Sequence, residues 1–247
     1  MRRIERITSR RNSCVQAAVE AARRPCGERF VLEGERFVRD LPAECIDELF
    51  VTDGEKFGVL CGRAAAAGAE VRWVSREVMA RMCSAKSGQD VLAVVHALPA
   101  PRPDRIVICD GVQDPGNVGT VIRSAAAFGF GCVLSPDSAN PYSPKAAQSS
   151  SGTVCTCHIA RLDAAEAARR LKAEGYLIVS SELDAAAAAP ESIPRCGRLA
   201  LIIGSEGRGV GPQASAEADA RVYIPINNTD SLNAAVAAGI LMYCFRV

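Results

Sequence analysis

Short apolar runs and amphipathic stretches take turns along this chain. In the first hundred residues, the runs at 30–32, 46–51, 71–74 and 91–95 predict strands. Residues 14–24, 55–67 and 75–82 carry apolar positions at helical spacing and predict helices. The segment Ala97-Leu98-Pro99-Ala100-Pro101-Arg102-Pro103-Asp104 then places three prolines within five positions. Proline fixes φ and lacks an amide donor, so neither a helix nor an inner strand continues through it. The reading therefore sets a domain boundary there, with one domain at 1–97 and a second at 104–247. Beyond it the alternation sharpens, with strands predicted at 105–109, 131–134, 155–159, 176–179, 199–203 and 222–226. Helices are predicted at 118–128, 164–174, 212–220 and 232–243. The five alanines 185–189, ahead of Pro190, read as a helix end or a loop. Strands that are apolar throughout, with helices between them, imply a parallel sheet covered on both faces. Both halves are α/β, the first the smaller.

Composition narrows the class. Of 247 residues, 49% are hydrophobic and 23% charged, the balance of a chain with a real core, which excludes disordered and fibrous classes. No apolar run reaches the roughly 18 residues that cross a bilayer. The basic start Met1-Arg2-Arg3-Ile4-Glu5-Arg6 leads into no signal-peptide core, so a cytoplasmic protein away from membranes is expected. Eleven cysteines, an odd number scattered along a long chain, read as reduced thiols. Cys155-Thr156-Cys157-His158 has metal-ligand residue types, but its alternation is that of a strand using cysteine as a small apolar residue. With no second ligand pair at zinc spacing, no metal is expected. The net charge of +1 hides an asymmetry. Residues 1–12 carry Arg2, Arg3, Arg6, Arg10 and Arg11 against Glu5, whereas 98–247 holds 13 basic and 14 acidic side chains. An arginine-rich tip suits phosphate contact, and equally suits plain solvation.

Ligands of open parallel sheets bind beyond the carboxyl ends of the strands, and three such ends carry unusual loops. The first runs Asp110-Gly111-Val112-Gln113-Asp114-Pro115-Gly116-Asn117, with Asn117 able to cap the next helix and Arg123 about two turns into it. The second, Gly204-Ser205-Glu206-Gly207-Arg208-Gly209-Val210-Gly211, lets backbone amides approach a ligand. Its spacing is not the G-x-G-x-x-G of dinucleotide sites. The third, Ile224-Pro225-Ile226-Asn227-Asn228-Thr229-Asp230-Ser231-Leu232-Asn233, leads into a helix rich in small residues, with Ser231 as a natural cap.

Together, in that order, these loops resemble the three signature motifs of the SpoU/TrmH family of RNA ribose 2′-O-methyltransferases, in the SPOUT superfamily. The resemblance covers about residues 105–245. It implies a trefoil-knotted, parallel-sheet methyltransferase domain at the carboxyl end. The first half resembles the family's substrate-binding domain, a small α/β sandwich similar to an RNA-binding ribosomal protein. The resemblance further implies S-adenosylmethionine as cofactor, held by Ile203, Gly204, Glu206, Gly207, Ile224, Ile226, Ser231 and Leu232. Asn117, Arg123, Glu206, Ser231 and Asn233 match the family's polar catalytic positions. RNA, ribosomal more than transfer RNA, is the implied partner, with Arg2, Arg3, Arg6, Arg10 and Arg11 as contacts, and a homodimer through the knotted domain is implied.

The residue types suit that chemistry, because a ribose hydroxyl is a poor nucleophile until its proton is drawn off and the methyl donor lies in line. Arg123 is open to two roles. A guanidinium normally stays protonated, so holding a phosphate and stabilising the alkoxide is chemically easier than acting as the base. Two positions depart from the family pattern. Ser205 stands where many relatives have asparagine, and only four residues, none of them glycine, separate Ile226 from Ser231. The competing reading is a catalytically silent RNA-binding protein that keeps the fold. It has no need of Asn117, Arg123, Glu206, Ser231 and Asn233 as a set.

Overall fold

A computed structural model gives the fold and describes residues 6–84, 88–184, 187–194, 197–228 and 231–246. The chain divides into two compact units, Met1–Leu98 with Pro141–Thr156, and Pro99–Asn140 with Cys157–Val247. The proline segment lies at the first crossing between them. The exchange of 141–156 into the first unit has no signature in the hydrophobic pattern.

In the first unit, α1 (Ser13–Arg23), β1 (Phe30–Glu33), α2 (Glu35–Arg39), β2 (Ile46–Val51), α3 (Gly58–Ala66), β3 (Glu70–Trp73), α4 (Arg76–Met82) and β4 (Val91–Val95) follow in turn. The sheet order is β1-β4-β2-β3. β4 is antiparallel to both neighbours and β3 is parallel to β2. Asn12 caps α1 by accepting from the Cys14 amide at 3.0 Å, and Ser75 caps α4 through the Val78 amide at 3.2 Å. These two helices bury Val15, Ala18, Val78 and Met79 against Val31, Phe50, Leu92 and Val94. Alternation along β1 turns Phe30 and Leu32 to the opposite face.

The second unit comprises β5 (Arg105–Asp110), α5 (Pro115–Phe128), β6 (Gly131–Leu134), β7 (Ile159–Arg161), α7 (Ala164–Ala173), β8 (Leu177–Ser181), β9 (Leu199–Gly204), α8 (Pro212–Ala216), β10 (Ala220–Val222) and α9 (Ala234–Cys244). The sixth helix, α6 (Pro144–Ser149), belongs to the exchanged segment. The sheet order is β10-β8-β9-β5-β6-β7, and every pairing in it is parallel. On one face α7 buries Ala164, Ala167, Ala168 and Leu171 against Ile106, Ile108, Ile178 and Ile202. On the other face α5 and α9 pack together and onto β6 and β9. Burial on both faces is why the central strands β5 and β9 read as unbroken apolar runs.

The exchanged segment corrects the sequence reading most. Helix α6 packs on β1, with the Tyr142 ring 5.2 Å from that of Phe30. Gly152 turns the chain at φ +82°, where a Cβ would come within 2.7 Å of Leu41 Cδ2. In place of the strand expected at 155–159 there is a 3-10 turn, Thr153–Cys155, and then β7, which begins only at Ile159, where the expected strand ends. Val154 and Cys155 are apolar because they are buried in that turn. The Cys155 thiol meets Cys45, and Cys132 meets Cys157. Thiol–thiol hydrogen bonding and burial push Cys155 and Cys132 well above the ordinary range. Burial pushes Cys109 up to about 12. These side chains therefore stay neutral thiols, and among the described residues no group of three His, Cys, Asp or Glu is placed to hold a metal. Two further elements are shorter than expected. Strand β10 ends at Val222, leaving 223–226 as an extended loop, and α8 ends at Ala216. Of the alanine run, 185 and 186 lie outside the described residues, and 187–189 form no helix. Among the described residues, no helix is long and apolar enough to cross a membrane.

Substituting Gly152→Ala places a side chain in a left-handed conformation and against Leu41, which costs about 2 kcal/mol. Urea unfolding followed by the fluorescence of Trp73, the one tryptophan and a residue of β3, is expected to report that loss.

Candidate functional site

Parallel strands send all their carboxyl ends to one edge of the sheet, and the loops leaving β5, β9 and β10 meet there. Local capping decides which side chains are free to meet. Asp114 accepts from the Asn117 amide at 3.0 Å and Pro115 takes the first helical position, so α5 starts three residues before the expected 118. Asn117, expected as the cap, thus lies inside the first turn with its amide group released. At α9 the cap is Asn233, whose Oδ1 accepts from Ala235 and Val236 at 3.0 and 3.2 Å. Ser231, expected in that role, precedes it by two residues and faces a cavity.

The glycine-rich loop after β9 folds back on itself. Ser205 donates to the Gly209 carbonyl at 3.2 Å and Gly209 returns a bond to Ser205 at 2.9 Å. A Cβ on Gly204 would lie 1.9 Å from the Gly209 carbonyl carbon, so only glycine fits. Two ties hold the loop. The Gly211 amide donates to Asp110 Oδ2 at 2.7 Å, and Arg208 donates to Asp137 at 3.1 Å. The Ser135 hydroxyl, followed by Arg208, holds the Asp137 carboxyl below the usual carboxylate range. At neutral pH that tie is an ion pair.

Glu206, so presented, accepts from Asn117 Nδ2 and from Asn233 Nδ2 at 3.3 Å on the same oxygen, Oε1. Asn233 Nδ2 also donates to Asn117 Oδ1 at 3.0 Å. One side chain from each of three loops is thereby joined. Oε2 of Glu206 has no partner among the described residues and can take a further donor.

Beside this cluster lies a cavity of about 550 Å³, a volume ordinary for a small-molecule site. Ile203, Gly204, Glu206, Gly207, Ile224, Ile226, Ser231 and Leu232 all line it. Its wall is mainly apolar in area, and Glu182, Glu206, Arg208 and four serines are its polar side chains. The sequence reading missed Ser181, Glu182, Leu183 and Ser215, which also line it. Ser181 ends β8 and Glu182 and Leu183 follow it, where the strand-end rule points without any motif.

The remaining predicted residues are elsewhere. Arg123 is exposed on α5, and it lines neither this cavity nor the neighbouring α5–α9 groove. Arg6 donates to the Val74 and Thr52 carbonyls at 3.3 and 3.4 Å, tying the amino-terminal segment to the strand ends of its own unit. Arg10 and Arg11 are exposed, and Arg2 and Arg3 lie outside the described residues.

Comparison with known proteins joins this geometry to a family. Residues 104–243 match the SpoU rRNA methylase family, and residues 27–101 match the RNA 2′-O ribose methyltransferase substrate-binding family. The chain is similar to the 23S rRNA (guanosine(2553)-2′-O)-methyltransferase RlmP of Bacillus subtilis, at 30% identity over 88% of each chain. A 23S rRNA (guanosine-2′-O-)-methyltransferase, RlmB of Acinetobacter baylyi, is 29% identical over 71% of this chain and 77% of its own. Among solved structures, the AdoMet-bound rRNA methyltransferase of Sinorhizobium meliloti superposes with a TM-score of 0.82 at 27% identity, covering 97% of this chain and 96% of that one. One of these matches spans more than half of the chain, over the residues that build the three loops, and the chain belongs to the SpoU rRNA methylase family.

Proposed function

We propose that this chain transfers a methyl group from S-adenosylmethionine to a ribose 2′-hydroxyl of ribosomal RNA, in the cytoplasm. The observation that carries the reading is the meeting of Asn117, Glu206 and Asn233 beside the cavity. The names of the similar 23S rRNA enzymes support ribosomal over transfer RNA.

The cavity suits the cofactor in size and lining. Ile203, Ile224, Ile226 and Leu232 offer apolar walls to a purine, and Gly204, Gly207 and Ser231 offer backbone and hydroxyl groups to its polar edges. When bound, S-adenosylmethionine supplies an electrophilic methyl on a sulfonium. The protein's own part is orientation and charge. Glu206 Oε1 fixes both asparagine amides, so Asn117 presents a set geometry to an entering ribose. Glu206 Oε2 remains to accept the hydroxyl proton or to hold an arginine.

That arginine is Arg123 of a second copy. On α9, Val236, Ile240 and Tyr243 are 50%, 38% and 53% exposed at spacings of four and three, an apolar stripe on one helix face. The groove that this stripe forms with α5 also contains Asn117 and Asn233. Two copies packed through this face bury the stripe and bring Arg123 of one to the cluster of the other. There the guanidinium stabilises the developing alkoxide while remaining protonated. The trefoil knot of the family is part of the same proposal.

Three outcomes are expected. Incubation with ribosomal RNA and tritiated S-adenosylmethionine should label nucleosides that retain a 2′-O-methyl group after digestion. Binding of S-adenosylhomocysteine with no transfer to any RNA would favour a silent RNA-binding protein. Arg123→Ala and Gly204→Trp proteins should each be inactive, yet regain activity when mixed and allowed to exchange subunits, because one heterodimer site is intact. A mixture containing heterodimers by native mass spectrometry but lacking activity would assign Arg123 to its own subunit's site. Replacing Arg10 and Arg11 with glutamine should lower the log–log salt slope of RNA binding by about 1.5, as two phosphate contacts are lost.

A further inference from the structure

The cavity contains a second carboxylate that the reaction above does not use. Glu182 follows β8, and its side chain is 20% exposed in the cavity wall. Three neighbours fix it. Its Oε1 accepts from Ser180 Oγ at 2.9 Å and from Ser215 Oγ, while Oε2 lies 3.4 Å from Arg221 Nε. The Glu182 amide also donates to the Val222 carbonyl at 2.9 Å. Both lone pairs of Oε1 are taken, and Oε2 retains room for one more donor. A largely covered carboxylate in a mainly apolar wall is costly unless its remaining capacity is used. Arg221 is 52% exposed, so that pair alone contributes little.

Strand order sets which end of a ligand Glu182 meets. Along β8-β9-β5, the Asn117–Glu206–Asn233 cluster lies on the β5 side of β9, and Glu182 lies on the β8 side. The transferable methyl belongs at the cluster, which leaves the adenosine or the methionyl tail for the β8 side. The tail is zwitterionic: its ammonium suits Glu182 but its carboxylate is repelled, and neither charge suits the apolar Leu183 and Ile224 that line the cavity there. Adenosine is uncharged, and next to Glu182 the exposed Leu183 and the wall residue Ile224 offer its base an apolar surface.

We propose that Glu182 is a cofactor-binding residue whose Oε2 accepts one hydrogen bond from the adenosine half of S-adenosylmethionine. The donor is either the 6-amino group of the base or a ribose hydroxyl. This assignment rests on the methyltransferase reading.

The test is calorimetric binding to the full chain of S-adenosylhomocysteine, its purine analogue lacking the 6-amino group, and its 2′-deoxy and 3′-deoxy analogues. The proteins are wild type, Glu182→Gln and Glu182→Asp, with thermal melting to check folding. Glu182→Gln is expected to weaken S-adenosylhomocysteine binding by about tenfold or more, the effect of losing a hydrogen bond to a charged group. Glu182→Asp withdraws Oε2 and should weaken it as well. With the analogue that lacks the donor in question, wild type and Glu182→Gln should bind alike, a coupling that a purely structural role would not produce. Binding of S-adenosylhomocysteine by both variants within twofold of wild type overturns the proposal. So does an equal loss for all four ligands. Failure of the wild type itself to bind S-adenosylhomocysteine would instead strike the methyltransferase reading, and the two failures are thereby distinct.

Discussion

The tightest constraint in the second unit is the backbone contact of Gly204 with Gly209, which leaves no space for a single carbon atom. Because the loop closes on itself there, and because Gly211 is bonded to the carboxylate at the end of β5, Glu206 is held at the loop apex. Both asparagine amides then converge on one of its oxygens. The cavity depends on the same fold-back, since Gly204, Glu206 and Gly207 are part of its wall. A rigid turn thus holds together the three side chains that the proposed function sets against a ribose hydroxyl.

The sheet makes that turn useful. All pairings in it are parallel, so the loops after β5, β8, β9 and β10 emerge at one edge, and α5 and α9 begin there. Helix N-caps then act as selectors of function. Asp114 takes the capping duty that would otherwise hold Asn117, and Asn233 uses one amide atom to cap α9 and the other to reach the cluster. Division of labour within one asparagine explains why that residue type suits the position: a serine there could cap but not also donate two bonds from a second atom.

Much of this was legible in the sequence for identifiable reasons. The central strands are buried on both faces, so they read as continuous apolar runs, and β6 has the expected bounds, 131–134. The residues that line the cavity in the glycine loop are contiguous, and local order along the chain preserves their neighbourhood. What depends on distant packing was not legible. Helix α6 buries only Ala146 and Ala147 and lies on β1 of the first unit, more than a hundred residues away, and no local period announces that partner. The pair Asp114-Pro115 marks the true start of α5, but Asn117 carries an equally good capping side chain, and only the three-dimensional competition separates them. Arg123 has the chemistry for the site but not the location within one chain, because a helix face can be read from spacing while the surface it meets cannot.

The most direct test of the account is a double-mutant cycle on methyl transfer between Asn117→Ala and Glu206→Ala, measured as single-turnover rates on ribosomal RNA with saturating cofactor. If the three loops form one unit, removing either partner disables the same geometry, and the double variant should be no slower than the slower single variant. Rate losses that multiply would mean that the two residues act independently and that their hydrogen bond is incidental to catalysis.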